Sequence, residues 1–229
     1  MKNRIFLLLI VVMLLTGCNG SDQLSGSNTD TDLISSATEK RYRNGELREY
    51  NGEVLDPAVG PRDNSIKGVQ YVNISSYQLR IDGLVDQPQN YKYDEVLSLP
   101  REERLYRLYC VEGWDANILW EGVLIKTLIE KANPNAEVNT VIFHSVDGYN
   151  TSLPLQEIID NNLLLAFNAN GIELPPEMGY PFIFVAEEKW GYKWARWVNR
   201  IELSSDENYK GFWESYGYNN EADLDNPFR

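Results

Sequence analysis

Cys18 and Cys110 are the two cysteines of this sequence and His144 is its one histidine, so few side chains could act as soft metal ligands or nucleophiles. Cys18 closes Leu15-Thr16-Gly17-Cys18, which follows Lys2, Arg4 and an unbroken apolar run from Ile5 to Leu15. Basic residues, an apolar run and small residues before a cysteine form an export signal with the shape of a bacterial or archaeal lipobox. The run falls short of the roughly 20 apolar residues that a membrane span requires, which disfavours an uncleaved anchor helix. Cleavage before Cys18 would make its thiol a lipid attachment point and leave Cys110 without a disulfide partner. A lone thiol in an exported protein calls for a reason, because structural cysteines outside the cell are generally paired. On these residues alone two readings stay open: a buried cysteine serving as a small hydrophobe, or a metal ligand or nucleophile.

Ser-His-Asp or Cys-His catalysis could come only through His144, and a zinc site of several histidines is excluded. His144 ends the apolar run Thr140-Val141-Ile142-Phe143, which favours a satisfied core or supporting histidine over a general base. Asp147-Gly148 reads as a turn rather than a catalytic acid. Trp114, Trp120, Trp190, Trp194, Trp197 and Trp213 suit core packing and the walls of a cleft better than a carbohydrate platform. The formal charge of −13 argues against nucleic acid and against docking on anionic lipid by charge, leaving the lipid chains to tether the protein.

These residues must be carried by a domain that starts after a polar stretch. Residues 18–62 are rich in Ser, Asp, Asn, Thr and Gly with few large apolar side chains, and read as a flexible tether behind a signal at 1–17. The rest is the size of one ordinary domain. Alternation from Tyr77 to Val85 predicts a strand, Tyr93 to Leu99 a short helix stopped by Pro100, and Arg104 to Tyr109 a strand that delivers Cys110 at its end. Val123, Leu124, Thr127, Leu128 and Lys131 have helical spacing that ends at Asn133-Pro134. Strands at 140–144, 149–153, 163–167, 182–186 and 197–203, with a short helix at 155–159, complete an α+β domain rather than a doubly wound parallel sheet. The acids and Pro227 of the tail speak against a regular element there, and residues 206–229 are expected to pack on the domain surface.

The block Leu108-Tyr109-Cys110-Val111-Glu112-Gly113-Trp114, followed by Trp120-Glu121-Gly122-Val123, resembles the molybdenum-binding core of the sulfite oxidase family, which includes periplasmic methionine sulfoxide reductases. Further matches run in order through His144-Ser145-Val146-Asp147-Gly148-Tyr149, Ser152-Leu153-Pro154-Leu155, Leu174-Pro175-Pro176, Gly179-Tyr180-Pro181 and Trp190-Gly191-Tyr192-Lys193-Trp194. The resemblance covers roughly residues 64–205 and implies the mixed sheets and short helices of the sulfite oxidase-type molybdopterin fold over 63–205. It further implies a molybdenum-molybdopterin cofactor with the Cys110 thiolate on the metal, catalytic as well as metal-binding. Ser145 is expected to hydrogen-bond the cofactor, Lys193 and Arg196 to reach its phosphate or pterin edge, and Asn64 to fall in an N-terminal cofactor-contacting stretch.

Met178 stands where many members of that family carry a polar residue, and Ile183 where many carry an arginine, so a sulfite substrate is less well supported. Lys2-Asn3-Arg4 has no arginine pair, the usual export signal for enzymes loaded in the cytoplasm. The expected activity is extracytoplasmic oxygen-atom transfer to or from a small-molecule substrate, sulfoxide reductase-like or sulfite oxidase-like. Its alternative is a cofactor-free binding lipoprotein reusing the fold. A monomer is expected, since the immunoglobulin-like domain of the larger oxidases does not follow. Without a Cys-X-X-Cys-His motif, electrons would pass to or from a separate partner, a membrane haem protein or a soluble carrier.

Overall fold

The computed structural model describes residues 36–58 and 63–229. The signal segment, Cys18 and the tether up to residue 35 lie outside the described residues. The chain runs α1 (Ser36–Arg43), β1 (Glu49–Tyr50), β2 (Glu53–Val54), β3 (Leu79–Gly83), β4 (Gln89–Tyr91), α2 (Tyr93–Leu97), β5 (Arg101–Tyr109) and β6 (Asp115–Leu124). It continues through α3 (Ile125–Ala132), β7 (Thr140–Ser145), β8 (Asn150–Pro154), α4 (Leu155–Asp160), β9 (Leu164–Ala169), β10 (Ile172–Glu173), β11 (Ile183–Val185), β12 (Val198–Ser204) and α5 (Phe212–Ser215). Among the described residues no helix is long and apolar enough to cross a membrane.

Two mixed-connection sheets enclose the core. The first has the order β10-β9-β6-β5, with β11 also paired to β9; the second has the order β4-β3-β12-β7-β8. All pairings within them are antiparallel except β12 with β3. Buried side chains from both sheets meet in one cluster, in which Phe143 of β7 stacks on Phe184 of β11 with ring centroids 3.9 Å apart. The helix α3 turns Ile125, Leu128, Ile129 and Ala132 inward and ends at Asn133, whose left-handed backbone (φ 53°) precedes Pro134. The acid expected early in α2 is used: Glu95 accepts the Lys92 backbone N–H at 2.7 Å, satisfying a donor the helix cannot.

The β6 strand sits between β5 and β9, and most of its residues are buried on both faces. It therefore lacks the polar-apolar alternation that marks a half-exposed strand. Gly122 lies at the irregularity between β6 and β9, where a Cβ would stand 2.3 Å from the Leu165 carbonyl oxygen and 2.6 Å from the Ala166 Cα. Backbone on both sides leaves no flexible neighbour to yield. Gly122→Ala is expected to cost about 1–3 kcal/mol by overpacking, read as a lower urea midpoint with an unchanged slope.

The tether expected over 18–62 does not extend through its second half. Leu55 and Ala58 are fully buried, and Glu46 is buried with its carboxylate accepting from the Ala58 backbone N–H at 2.7 Å and the Asn170 side chain at 3.1 Å. Arg43 pairs with Glu46 at 3.2 Å and donates to the Leu55 carbonyl at 2.9 Å. Asp56 and Asn117 hold the arm to β6 through reciprocal bonds of 2.9 and 2.8 Å. Polar composition misled here because the arm is fixed by hydrogen bonds to a buried carboxylate more than by apolar area.

Candidate active site

Cys110 sits at the tip of the long β5–β6 hairpin. The ladder runs in register from Arg101 opposite Val123 to Tyr109 opposite Asp115, and the turn closes with the Cys110 N–H on the Trp114 carbonyl and the Gly113 N–H on the Cys110 carbonyl. A second segment braces the tip: Trp190 bridges Tyr109, and a Cβ on Gly191 would lie 3.0 Å from the Tyr109 carbonyl oxygen and 3.6 Å from the Cys110 Cα. Only a glycine lets the Gly191–Lys193 turn approach the cysteine backbone that closely.

The thiol opens on a half-enclosed cavity of 340 Å³ walled largely by rings, among them Trp114, Trp194, Trp197, Trp213 and Tyr218. The Asn64 side-chain N–H donates to Cys110 Sγ at 3.4 Å. Burial pushes the thiol up from its ordinary value; the Glu112 backbone N–H opposes this, the Glu112 carboxylate adds to it, and Arg196 and Asn64 pull it back down. The free thiol is therefore held protonated, and a soft cation must displace that proton to bind. Two polar atoms of cavity-lining residues are buried without partners, the Trp114 indole N–H as a donor and one Glu177 carboxylate oxygen as an acceptor. Among the described residues Arg196 is the only cationic side chain in the lining, against the carboxylates of Asp63, Glu112, Asp147 and Glu177. Asp63 holds that guanidinium at 3.2 Å, the Glu177 carbonyl accepts from it at 2.8 Å, and it lies over the Trp197 ring at 4.6 Å. Trp197 itself takes a positive φ of 53°, unusual for a bulky residue and characteristic of strained functional positions.

The structure brings Cys110, Asn64 and Arg196 to one cavity, with Met178 and Ile183 in its wall. It does not bring Lys193 there. That side chain is wholly buried, with its ammonium on the Ser152 carbonyl at 2.9 Å and the Glu214 carboxylate at 2.6 Å, so its expected place at the cofactor's phosphate is taken by a contact to the C-terminal tail. Burial lowers the Lys193 ammonium, and the Glu214 charge opposes that effect. Ser145 is also outside the lining; its hydroxyl is buried without a partner. Among the described residues no three His, Cys, Asp or Glu side chains are grouped to hold a metal ion.

His144 is likewise outside the cavity, within 2.9 Å of Glu202, which Arg200 also pairs at 2.8 Å. Burial lowers its affinity for a proton, Arg200 adds to this and Glu202 opposes it. The unfolded chain then binds more protons than the native one below the usual imidazole value of 6.5. Stability is expected to be complete above that value and to fall as pH drops toward the depressed native one. His144→Gln should flatten this part of a plot of urea midpoint against pH.

The Cys110 thiol thus stands at a ring-walled cavity with the Asn64 amide on its sulfur. Residues 66–213 match the oxidoreductase molybdopterin binding domain, and the chain belongs to that family. It is 35% identical to the uncharacterized oxidoreductase YuiH of Bacillus subtilis, over 67% of this chain and 77% of that one. It is 29% identical to the protein-methionine-sulfoxide reductase catalytic subunit MsrP of Campylobacter jejuni, over 64% of this chain and only 55% of that one. The sulfane dehydrogenase SoxCD of Paracoccus pantotrophus shares the fold with a TM-score of 0.61 at 20% identity, over 72% of this chain and 52% of its own. The protein is thus a molybdopterin-dependent oxidoreductase of sulfite oxidase-type α+β fold.

The residues present fit such a cofactor: a thiol donor, the rings of Trp114, Trp194 and Trp197 for a flat heterocycle, and the Arg196 guanidinium for negative charge. Asn64→Ala should weaken metal retention or turnover by about 10–100-fold, the usual cost of removing a hydrogen bond that supports a metal ligand. Molybdenum per chain and kcat, measured together, check this.

Proposed function

We propose that this protein is an exported, lipid-anchored enzyme that reduces small organic sulfoxides to thioethers by oxygen-atom transfer. The observation that carries the reading is the charge around Cys110: among the described residues the lining offers one guanidinium, already held by Asp63, beside four carboxylates. An oxyanion such as sulfite needs fixed positive charge near the reacting centre. A neutral sulfoxide does not.

When bound, molybdenum supplies the two-electron chemistry that removes the oxygen. The chain's own residues prepare the site. Cys110 would give up its proton to hold the metal, and Asn64 would fix the sulfur's orientation through its N–H. Ring walls give the half-enclosed cavity a largely apolar lining. The balance is sulfoxide plus two electrons and two protons giving thioether plus water. Those electrons come from a separate redox partner, a membrane haem protein or a soluble carrier, and tethering through Cys18 would raise the local concentration of a membrane partner.

The test is molybdenum analysis of protein purified from its native host, with oxidation of a reduced viologen dye followed on adding dimethyl sulfoxide and, separately, reduction of ferricyanide followed on adding sulfite. Near-stoichiometric molybdenum with sulfoxide-dependent dye oxidation is expected, as is loss of lipid labelling in Cys18→Ala. Sulfite-dependent electron release with no sulfoxide turnover would reverse the direction assigned.

A further inference from the structure

Two of the rings that wall the cavity, Trp213 and Tyr218, come from the C-terminal strap, whose other contacts pin it firmly. Glu214, the residue after Trp213, is 2% exposed and bonded to Lys193 and to Thr151, each at 2.6 Å. Tyr192 donates to the Asn219 carbonyl at 2.8 Å, and the Trp190 indole to the Asn226 carbonyl at 3.1 Å. The rings continue this anchoring inward. Tyr218 meets Trp213 at 5.3 Å and Tyr192 at 5.1 Å between centroids, while the Arg229 guanidinium covers Tyr218 at 4.4 Å. Tyr192 follows Gly191, the residue packed against the Cys110 backbone. The strap's rings therefore stand one aromatic layer away from the segment that braces the thiol.

We propose that Trp213 and Tyr218 are the specificity-determining wall of the site, holding the apolar substituents of a small uncharged oxo compound and turning away bulky ones. This rests on the reading of the protein as a sulfoxide reductase. Rings packed in tilted and edge-on contact offer apolar area, and the strap that carries them is fixed by a buried ion pair, so the wall has little freedom to open for a larger group. Hydrophobic pockets discriminate by size through roughly 10- to 200-fold per methylene-sized misfit, which sets the effect to be sought.

The experiment uses full-length, molybdenum-loaded protein and its Trp213→Ala, Tyr218→Ala and Tyr218→Phe variants. Turnover of dimethyl sulfoxide is compared with that of dibenzyl sulfoxide, and binding of the matching sulfones, which lack the reducible sulfoxide, is followed by tryptophan fluorescence. The wild type should favour the small compound in both assays. Each alanine variant should raise the bulky-to-small ratio of kcat/KM about tenfold or more, through KM, with molybdenum content unchanged. Tyr218→Phe keeps the ring and should keep the wild-type ratio. An unchanged ratio in both alanine variants would overturn the proposal, and so would loss of molybdenum from them, which would make the strap part of the cofactor site. If no sulfoxide turns over in the wild type, the sulfoxide reading fails. The order of sulfone binding then still judges the wall: preference for the small sulfone, lost in the alanine variants, upholds it, and equal binding sinks it.

Discussion

Cys110→Ser is expected to abolish turnover and to strip most of the molybdenum from the purified protein, while leaving the fold intact. The substitution keeps the size and the place of the side chain at the tip of β5–β6, so the turn bonds of Cys110 with Trp114 and Gly113, which are backbone bonds, persist. What changes is the donor. A thiolate is a soft, electron-rich ligand, whereas a serine hydroxyl is hard and ionises far less readily, and the same burial that raises the thiol would disfavour an alkoxide further. No group of three other ligating side chains stands ready among the described residues to take over. The loss should exceed the roughly 10–100-fold expected when only a supporting hydrogen bond is removed. Metal analysis, kcat and a far-ultraviolet spectrum on one preparation check all three parts, and full activity in the variant would remove Cys110 from the metal.

Glu214→Ala should be among the most destabilising single changes in the chain, at about 3–5 kcal/mol, because it leaves the Lys193 ammonium buried without its counter-charge. Both side chains are essentially inaccessible, at 0% and 1% exposure, so water cannot substitute for the missing carboxylate. Thr151 would lose its acceptor as well. The strap should then become accessible to protease near residues 206–220, ahead of global unfolding. Replacing both members, Lys193→Met with Glu214→Leu, removes the stranded charge and should recover much of the loss. Urea unfolding of the two single variants and the double variant measures the coupling. A double variant no more stable than Glu214→Ala would show that the carboxylate acts through packing alone.

The strands β5, β7 and β12 and the helix α3 fall within a few residues of where alternation, an apolar run or helical spacing puts them, and Pro100 and Pro134 mark real ends. β6 is silent because its Asp115, Asn117, Glu121 and Gly122 break up both the alternation and the apolar run that mark the other strands, and its Trp120-Glu121-Gly122 stands out as a motif instead. Cys110 was reachable by counting cysteines and by the residues around it. The partner of Lys193 was not, since nothing in the spacing of residues 21 apart says that a tail carboxylate will cross a buried surface to meet it. The hold of Asp63 on Arg196 spans 133 positions and is equally silent in the sequence. Trp213 and Tyr218 were visible as tail aromatics, yet only the folded strap shows that they face the cavity.

The β5 strand closes one edge of the first sheet and is nine residues long, the kind of open ladder on which a second chain could add itself. Its sequence, Arg101-Glu102-Glu103-Arg104-Leu105-Tyr106-Arg107-Leu108-Tyr109, places charges at five of those positions, and Arg107 is tied to Asp115 across the hairpin. A neighbouring copy would have to strip or match those charges before its backbone could pair. The element that presents the reactive thiol thus also keeps crowded molecules from zipping together along it, and sequences drifting toward neutral residues here would lose solubility before they lost chemistry.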